Sequence, residues 1–278
     1  MNSSGDDTQP AGLAPAEPGL WREQLSVHSY DVDFSQRASA EAICRWFLEA
    51  AWNHAEQLGI GYAHLARENR FWVLSRLLIQ VHRHPTWGQT MELSTWPRGV
   101  SGVFAMRDFE LRDNSGRRVV AGSSSWLVLD ASNRRPQRLD KLIRNIPAQV
   151  ARRAADRDPQ KLPELKCRPP QPAITTQARY SDIDVNAHVN SARYVGWLLD
   201  SYPAEFHRSH LLHSLELNFI GETRWDDVLL VYSQEEDPGL FAHTITTSKQ
   251  AEVCRAAMVW KIVGGSGDGA VGAGLPEV

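Results

Sequence analysis

Two stretches of the chain carry apolar residues at helical spacing, and each is followed by a series of apolar runs with strand character. In the first, Ile43, Phe47, Ala51, Ala55 and Leu58 recur every three or four positions. Ser39 stands where an N-cap belongs, and Gly59 where a helix stops. In the second, Asn190 precedes Tyr194, Val195, Leu198 and Leu199, and Pro203 ends the segment. The runs after the first helix are 72–81, 91–96, 103–111 and 119–129. Asp113-Asn114-Ser115-Gly116 supplies a hairpin turn between the last two. The runs after the second helix are 214–219, 228–234, 240–248 and 253–263.

The parallel extends to local sequence. Ile79-Gln80-Val81 leads to Trp87-Gly88-Gln89, and Leu217-Asn218-Phe219 leads to Trp225-Asp226-Asp227. One apolar helix followed by antiparallel strands, given twice, predicts an α+β fold of two tandem hotdog domains. In each, an antiparallel sheet wraps around a long central helix. Two copies in one chain mimic the dimer that single hotdogs form, so a monomer or a homodimer is expected. Two unrelated α+β domains are the alternative. The expected division is a disordered tail over 1–22, an N-terminal hotdog over 23–145, a linker over 146–175, a C-terminal hotdog over 176–263 and a second tail over 264–278. The linker is rich in proline, with room for a short helix at 149–156.

Composition narrows the function classes. A formal charge of −3 over 278 residues gives no electrostatic reason to expect nucleic acid or an anionic membrane. No apolar run approaches the ~20 residues that span a bilayer, so no membrane insertion is expected. Cys44, Cys167 and Cys254 are few, odd in number and far apart. They suggest free thiols in a reducing, cytoplasmic setting and no metal site. No cofactor motif stands. Gly267-Asp268-Gly269-Ala270-Val271-Gly272 matches a dinucleotide fingerprint only in spacing, with no helix after it. Gly122-Ser123-Ser124-Ser125-Trp126 fails as a nucleophile elbow at its last position. His207, His210 and His213 lack a carboxylate to complete a metal site and read as a polar helix or loop face.

The chemistry concentrates in Asp182-Ile183-Asp184-Val185-Asn186-Ala187-His188-Val189-Asn190. If the segment is extended, Asp184, Asn186 and His188 share one face, while Val185, Ala187 and Val189 share the other. The polar set then lines a cleft, ahead of a helix whose first amides stabilise negative charge. The plain alternative is a turn and a helix cap, which favour the same residue types.

The run from Asp184 to Asp200 resembles the signature of the acyl-[acyl carrier protein] thioesterases. Trp72-Val73-Leu74-Ser75-Arg76, Pro85-Thr86-Trp87-Gly88, Thr95-Trp96-Pro97-Arg98-Gly99 and Phe104-Ala105-Met106-Arg107-Asp108-Phe109 resemble that family's first hotdog. The resemblance covers about 25–263. It implies hydrolysis of a fatty acyl thioester, with acyl carrier protein as partner and no cofactor. It places the family's Asp, Asn, His and Glu on Asp184, Asn186, His188 and Glu222. Thr223 stands where plant members carry a Cys, so a Cys nucleophile there is not available. The internal repeat puts His84 where Glu222 stands, and no D-x-N-x-H precedes the first helix. The first hotdog is therefore expected to be inactive and to hold the acyl chain.

One carboxylate is expected to attack or to activate water while the other partners His188, with Asn186 on the water or carbonyl. Glu222 is expected to be buried beside the acyl tunnel, where desolvation favours its neutral form. The amides of Val189 and Asn190 are expected to form the oxyanion hole and bind substrate. Trp52, Trp72, Leu74 and Met106 are candidates for lining the tunnel. Arg134, Arg135, Arg152, Arg153, Lys161, Lys166 and Arg168 are candidates for meeting an acidic carrier protein. An acyl-CoA thioesterase and a non-catalytic acyl-thioester sensor are the alternative readings. A hotdog dehydratase has a different Asp/His arrangement.

Overall fold

The computed structural model describes residues 17–264 of the chain. The first half contains strand β1 (Trp21–Ser26), helix α1 (Ala40–Gln57), a short helix α2 (Tyr62–Arg67) and strands β2 (Arg70–Val81), β3 (Thr90–Ser101), β4 (Phe104–Arg112) and β5 (Arg118–Asp130). A single turn, α3 (Asp140–Ile143), follows. The second half runs β6 (Ile174–Gln177), α4 (Ser191–Asp200), α5 (Ala204–Ser209), β7 (His210–Phe219), β8 (Val228–Asp237), β9 (Leu240–Thr247) and β10 (Glu252–Ile262). The fold is α+β, two hotdogs in tandem, and their strands join into one antiparallel sheet of order β1-β3-β4-β5-β2-β7-β10-β9-β8-β6.

The join is the β2–β7 pair, in which Arg76 faces Asn218 and Gln80 faces Ser214. Leu78 faces Glu216, the position that the local repeat equates with it, so a pseudo-twofold axis passes between them. The helices α1 and α4 pack together on one face of the sheet, and a single apolar core runs from Val27 to Trp260 across both halves. Helix α1 begins where Ser39 accepts the Ala42 amide. It ends in a Schellman motif: Gly59 N–H donates to Glu56 O and Ile60 N–H to Ala55 O, with Gly59 at φ 69. Phe47 of α1 stacks on Phe109 of β4 at 4.6 Å. Gly122 of β5 makes room for that ring, since a Cβ there would overlap Phe47.

Four expectations need correction. Trp21 and Arg22, assigned to a tail, pair with Thr95 and Ser94 as part of β1. The rest of that tail up to 16, the second tail from 265 and the Gly267–Gly272 motif lie outside the described residues. The proline-rich connection has no helix at 149–156, yet it is bound to the outer face of the sheet. There Trp96 Nε1 donates to Arg152 O, the Ala154 amide to Asp108 and the Leu162 amide to Asn218. Each of these strand side chains points away from the helices and would otherwise be exposed, so the connection is the second layer over the sheet. Finally, His207 belongs to α5 while His210 and His213 belong to β7, so the three do not share a helix.

The two interiors are filled differently. Beyond the end of the shorter helix α4, Tyr202 stacks on Phe206 at 4.6 Å, and the two rings meet Phe241 and Trp260 edge to face, with centroids 5.1–5.5 Å apart for Tyr202–Trp260, Tyr202–Phe241 and Phe206–Phe241. Tyr202 Oη meets His243 Nε2 at 2.8 Å within this cluster. Burial pushes the His243 imidazole down to about 3. Burial and then the Arg107 guanidinium push His54, on α1, down to about 3 as well.

Two outcomes follow from this packing. Gly122→Ala should destabilise the protein by about 1–3 kcal/mol through overpacking against Phe47, read as a lower urea midpoint; an unchanged midpoint would contradict the close approach. Native His54 and His243 stay neutral, whereas the unfolded chain takes up their protons below about pH 6.5. The stability present above that pH is therefore lost as pH falls toward 3, at roughly 1.4 kcal/mol per pH unit for each histidine. His243→Gln should make that slope shallower by about one proton; an equal slope would show that His243 is protonated in the native state.

Candidate active site

The segment around Asp184 is a tight loop, not an extended strand. Asp184 N–H donates to His188 O at 2.8 Å, and Ala187 N–H to Asp184 O at 3.0 Å. Asp184 Oδ1 accepts the amides of Asn186 at 2.8 Å and His188 at 3.4 Å, with Ala187 left-handed at φ 59. A carboxylate that satisfies the amide two residues on makes a turn. The expected alternation is lost, and Val185 is 72% exposed instead of packed. The loop is closed by the Ile183–Val189 bridge, by Asn190 N–H to Asp182 O at 2.8 Å and by Val189 N–H to Thr223 O at 2.9 Å. The two amides expected to hold an oxyanion are thus already engaged. Val189 sits in the core, and the Asn190 side chain caps α4 by accepting the Ala192 amide.

The same loop is built in the first hotdog. Asp33 N–H donates to Arg37 O, Gln36 N–H to Asp33 O, and Asp33 Oδ1 accepts the amides of Ser35 and Arg37. Gln36 is left-handed at φ 60, as Ala187 is. Ala38 N–H donates to Pro85 O, as Val189 does to Thr223, and Ser39 N–H to Asp31 O, as Asn190 does to Asp182. The backbone and the turn-forming aspartate are shared; the chemistry is not. Ser35, Arg37 and His84 occupy the positions of Asn186, His188 and Glu222. His84 Nε2 is bound to Leu212 O at 2.9 Å, and burial holds its imidazole below the ordinary value.

Between the halves lies a cavity of about 910 Å³, within the range of ligand pockets. Its walls come mostly from the first hotdog, including Trp46, Trp52, Trp72, Leu74, Met106 and Trp126, with Ala51 and Ala55 of α1 leaving the space. On the C-terminal side it is bounded by Ile183, Asp184, Val185, Asn186, Asn190 and Ser191. Asp184 and Asn186 therefore face the cavity, and so do Asn190, Trp52, Trp72, Leu74 and Met106. Val189 does not.

His188 and Glu222 form a pair beside these residues, and neither is part of the cavity wall. His188 Nε2 lies 3.1 Å from Glu222 Oε2, and His188 is joined to Asp184 through its amide and carbonyl. The burial expected for Glu222 is not found: its side chain is 39% exposed, and its Oε1 accepts from Arg134 at 2.9 Å. Asp182 is structural. Its Oδ1 accepts from Arg193 at 2.7 Å, and the same guanidinium reaches Glu41 of α1 at 2.6 Å, tying α4 to α1. Among the described residues no three His, Cys, Asp or Glu side chains group as a metal site.

The family to which the chain is matched agrees with an apolar cavity that ends on this loop. The acyl-ACP thioesterase N-terminal domain matches residues 18–146, and the acyl-ACP thioesterase C-terminal domain matches residues 172–262. The chain belongs to the acyl-ACP thioesterase family. Among curated relatives, an acyl-[acyl-carrier-protein] hydrolase of Cuphea viscosissima is 29% identical over 91% of this chain and 65% of its own. An oleoyl-acyl carrier protein thioesterase of Arabidopsis thaliana is 29% identical over 77% of this chain and 63% of its own. The chain thus spans just under two thirds of these relatives. Among solved structures, an acyl-ACP thioesterase from Bacteroides thetaiotaomicron superposes with a TM-score of 0.75 at 27% identity, covering 87% of this chain and 98% of that one. The 12:0-ACP thioesterase from Umbellularia californica gives 0.74 at 27% identity, covering 87% and 94%.

Two members of the site, Phe71 and Arg107, escaped the sequence reading, and Arg134 was expected in a different role, against a carrier protein. Phe71 and Arg107 line the cavity, and Arg134 reaches Glu222. Arg134 lies in a turn with no periodicity, so no local pattern points to its partner 88 positions away. Among the described residues the Ser191 amide, the first of α4, donates to no backbone acceptor, as follows from Asn190 as the cap, since the first amide of a helix has no intrahelical acceptor. Thr223, where plant members of the family have a Cys, is 1% exposed and its Oγ1 accepts from Tyr194 Oη at 2.7 Å. Thr223→Ala should cost about 1–3 kcal/mol by stranding that buried hydroxyl, with turnover per folded molecule little changed; loss of turnover at full stability would put Thr223 in the chemistry.

Proposed function

We propose that this protein hydrolyses fatty acyl thioesters carried on acyl carrier protein. The observation that carries the proposal is the junction of the apolar cavity with Asp184 and Asn186. A chain in the cavity has its carbonyl end at the one polar stretch of the wall that also touches a His–Glu pair. Family membership agrees with this, as do the activities for which its relatives are named.

In this reading the acyl chain lies in the first hotdog and the thioester at the loop of the second. Asp184, with Oδ1 fixed by two amides and Oδ2 without a hydrogen bond among the described residues, accepts a proton from the attacking water. Hydroxide adds to the carbonyl carbon. Asn186 Nδ2 and the Ser191 amide at the start of α4 hold the resulting oxyanion. The carbon–sulfur bond then breaks, and His188, paired with Glu222, gives a proton to the departing thiolate. The products are the free fatty acid and the carrier thiol; Asp184 then gives its proton to solvent and His188 takes one up from solvent, which restores the starting state. Direct attack by Asp184 gives the same products through an anhydride.

The test is release of free thiol from a panel of acyl-carrier-protein and acyl-CoA thioesters of increasing chain length. Carrier-protein thioesters should be cleaved with higher kcat/KM. Asp184→Asn and Glu222→Gln should each lower kcat by about 10² or more. Faster cleavage of the CoA series would make the carrier assignment wrong, and binding of acyl thioesters without release of thiol would make the protein a sensor. Single turnover in ¹⁸O-water separates the two chemical routes. Label in the Asp184 carboxylate means covalent attack with water entering at the aspartyl carbon; label only in the fatty acid means activated water where rapid quench also finds no acyl chain bound to the protein, and covalent attack opened at the acyl carbon where it does.

A further inference from the structure

The carboxylate of the C-terminal hotdog is held by a residue of the N-terminal one. Arg134 lies in the turn after β5, in left-handed conformation at φ 58. That turn is built locally: Asp130 Oδ1 accepts the amides of Ser132 and Asn133, and Arg134 N–H donates to Asp130 O at 2.9 Å. From this fixed base, Arg134 Nη1 donates to Glu222 Oε1 at 2.9 Å. The guanidinium plane lies over the Phe71 ring, 4.9 Å from its centroid, and Phe71 is part of the cavity wall.

A glutamate on an exposed loop samples many rotamers, and hydrogen-bonding one of its oxygens fixes the other. With Oε1 taken, Oε2 is left toward His188 Nε2 at 3.1 Å. The remaining charge near it is Arg224, at 3.7 Å and on Glu222's own loop. An exposed ion pair contributes little to stability, so the consequence of this one lies in orientation. We propose that Arg134 is a positioning residue for hydrolysis, so that the active site is completed across the two hotdogs. The first half then holds the acyl chain and also aims the Glu222 carboxylate. Because the guanidinium rests on Phe71, the cavity wall and the carboxylate share one support. Lys offers a point charge without the planar face and replaces only part of this arrangement.

The proposal rests on the reading in which Glu222 takes part in hydrolysis, and the experiment separates the two. Steady-state kinetics on one saturated acyl-carrier-protein thioester are compared for the wild type, Arg134→Ala, Arg134→Lys, Glu222→Gln and the Arg134→Ala/Glu222→Gln double variant, each checked for an unchanged melting temperature. Arg134→Ala should lower kcat roughly ten- to a hundredfold, the scale known for groups that orient metal-binding side chains, with KM within about twofold. Millimolar guanidinium should restore part of the loss, Arg134→Lys should fall between, and Arg134→Ala should add nothing to Glu222→Gln. A raised KM at unchanged kcat would make Arg134 a carrier-protein contact and overturn the proposal, as would a loss that adds in full to that of Glu222→Gln. Full activity in Arg134→Ala with an inactive Glu222→Gln overturns the positioning role alone. Full activity in Glu222→Gln overturns the reading beneath it and the role with it. Should Arg134→Ala not fold, Arg134→Lys with added guanidinium carries the same comparison.

Discussion

The antiparallel pairing of β2 with β7 is the contact on which the rest of the molecule depends. It sets Leu78 against Glu216 on the pseudo-twofold axis and turns two half-sheets into one. With the strands joined in this register, α1 and α4 must lie side by side, and their apolar faces become one core. The Glu41–Arg193–Asp182 network then fixes the start of α4 against α1. The loop before α4 is thereby brought to the wall of a cavity that belongs to the other hotdog. A slip of one residue in this pair would turn every side chain of β7 to the opposite face and move the loop away from the cavity.

Given that frame, function arises from differences between two copies of one device. Both halves contain an aspartate-closed loop ahead of a helix, with matching amide acceptors and matching left-handed residues. Asp184 therefore has a structural duty that Asp33 shares, and its conservation between the copies is no sign of catalysis. What separates them is the replacement of Arg37 and His84 by His188 and Glu222, which places a carboxylate beside an imidazole. The interiors diverge the other way. Ala51 and Ala55 leave a cavity in the first hotdog, while Tyr202, Phe206, Phe241 and Trp260 fill the second. Each half keeps one of two features, an apolar cavity or a His–Glu pair, and the shared sheet brings them together.

The long elements were legible because their signals are strong. Periodicity with a cap and a glycine stop located α1, and apolar runs of strand length bounded by turn residues located the eight longer strands. Edge strands β1 and β6 were given no bounds because four of the six residues of Trp21–Ser26 are polar and Ile174–Gln177 is four residues long after a proline-rich run. The connection looked unstructured because it has no periodicity, although its amides are satisfied by Asp108 and Asn218 on the sheet. At the site, the residue identities came from the motif and its family resemblance, but the geometry did not. An Asp-x-Asn segment fits a strand by alternation and a turn by side-chain bonding. The Asn186 amide on Asp184 shows that the local bond decided it.

The cavity itself sets a requirement that the outer layer meets. An apolar void of this size removes packing from the first hotdog, and lost packing is destabilising in proportion to the space left. The N-terminal half therefore needs burial elsewhere. It finds it on the opposite face of the sheet, where the connection covers Trp96, stacks Arg152 on its ring at 4.2 Å and seals Asp108 and Glu110 from water. Burial raises the Asp108 carboxyl above its ordinary value, while the Ala154 amide, Arg98 and Ser123 hold it down. The connection thus does more than join two domains. By closing the far face it lets the near face stay hollow, and a hollow near face is what sets an apolar cavity against the loop of the second half.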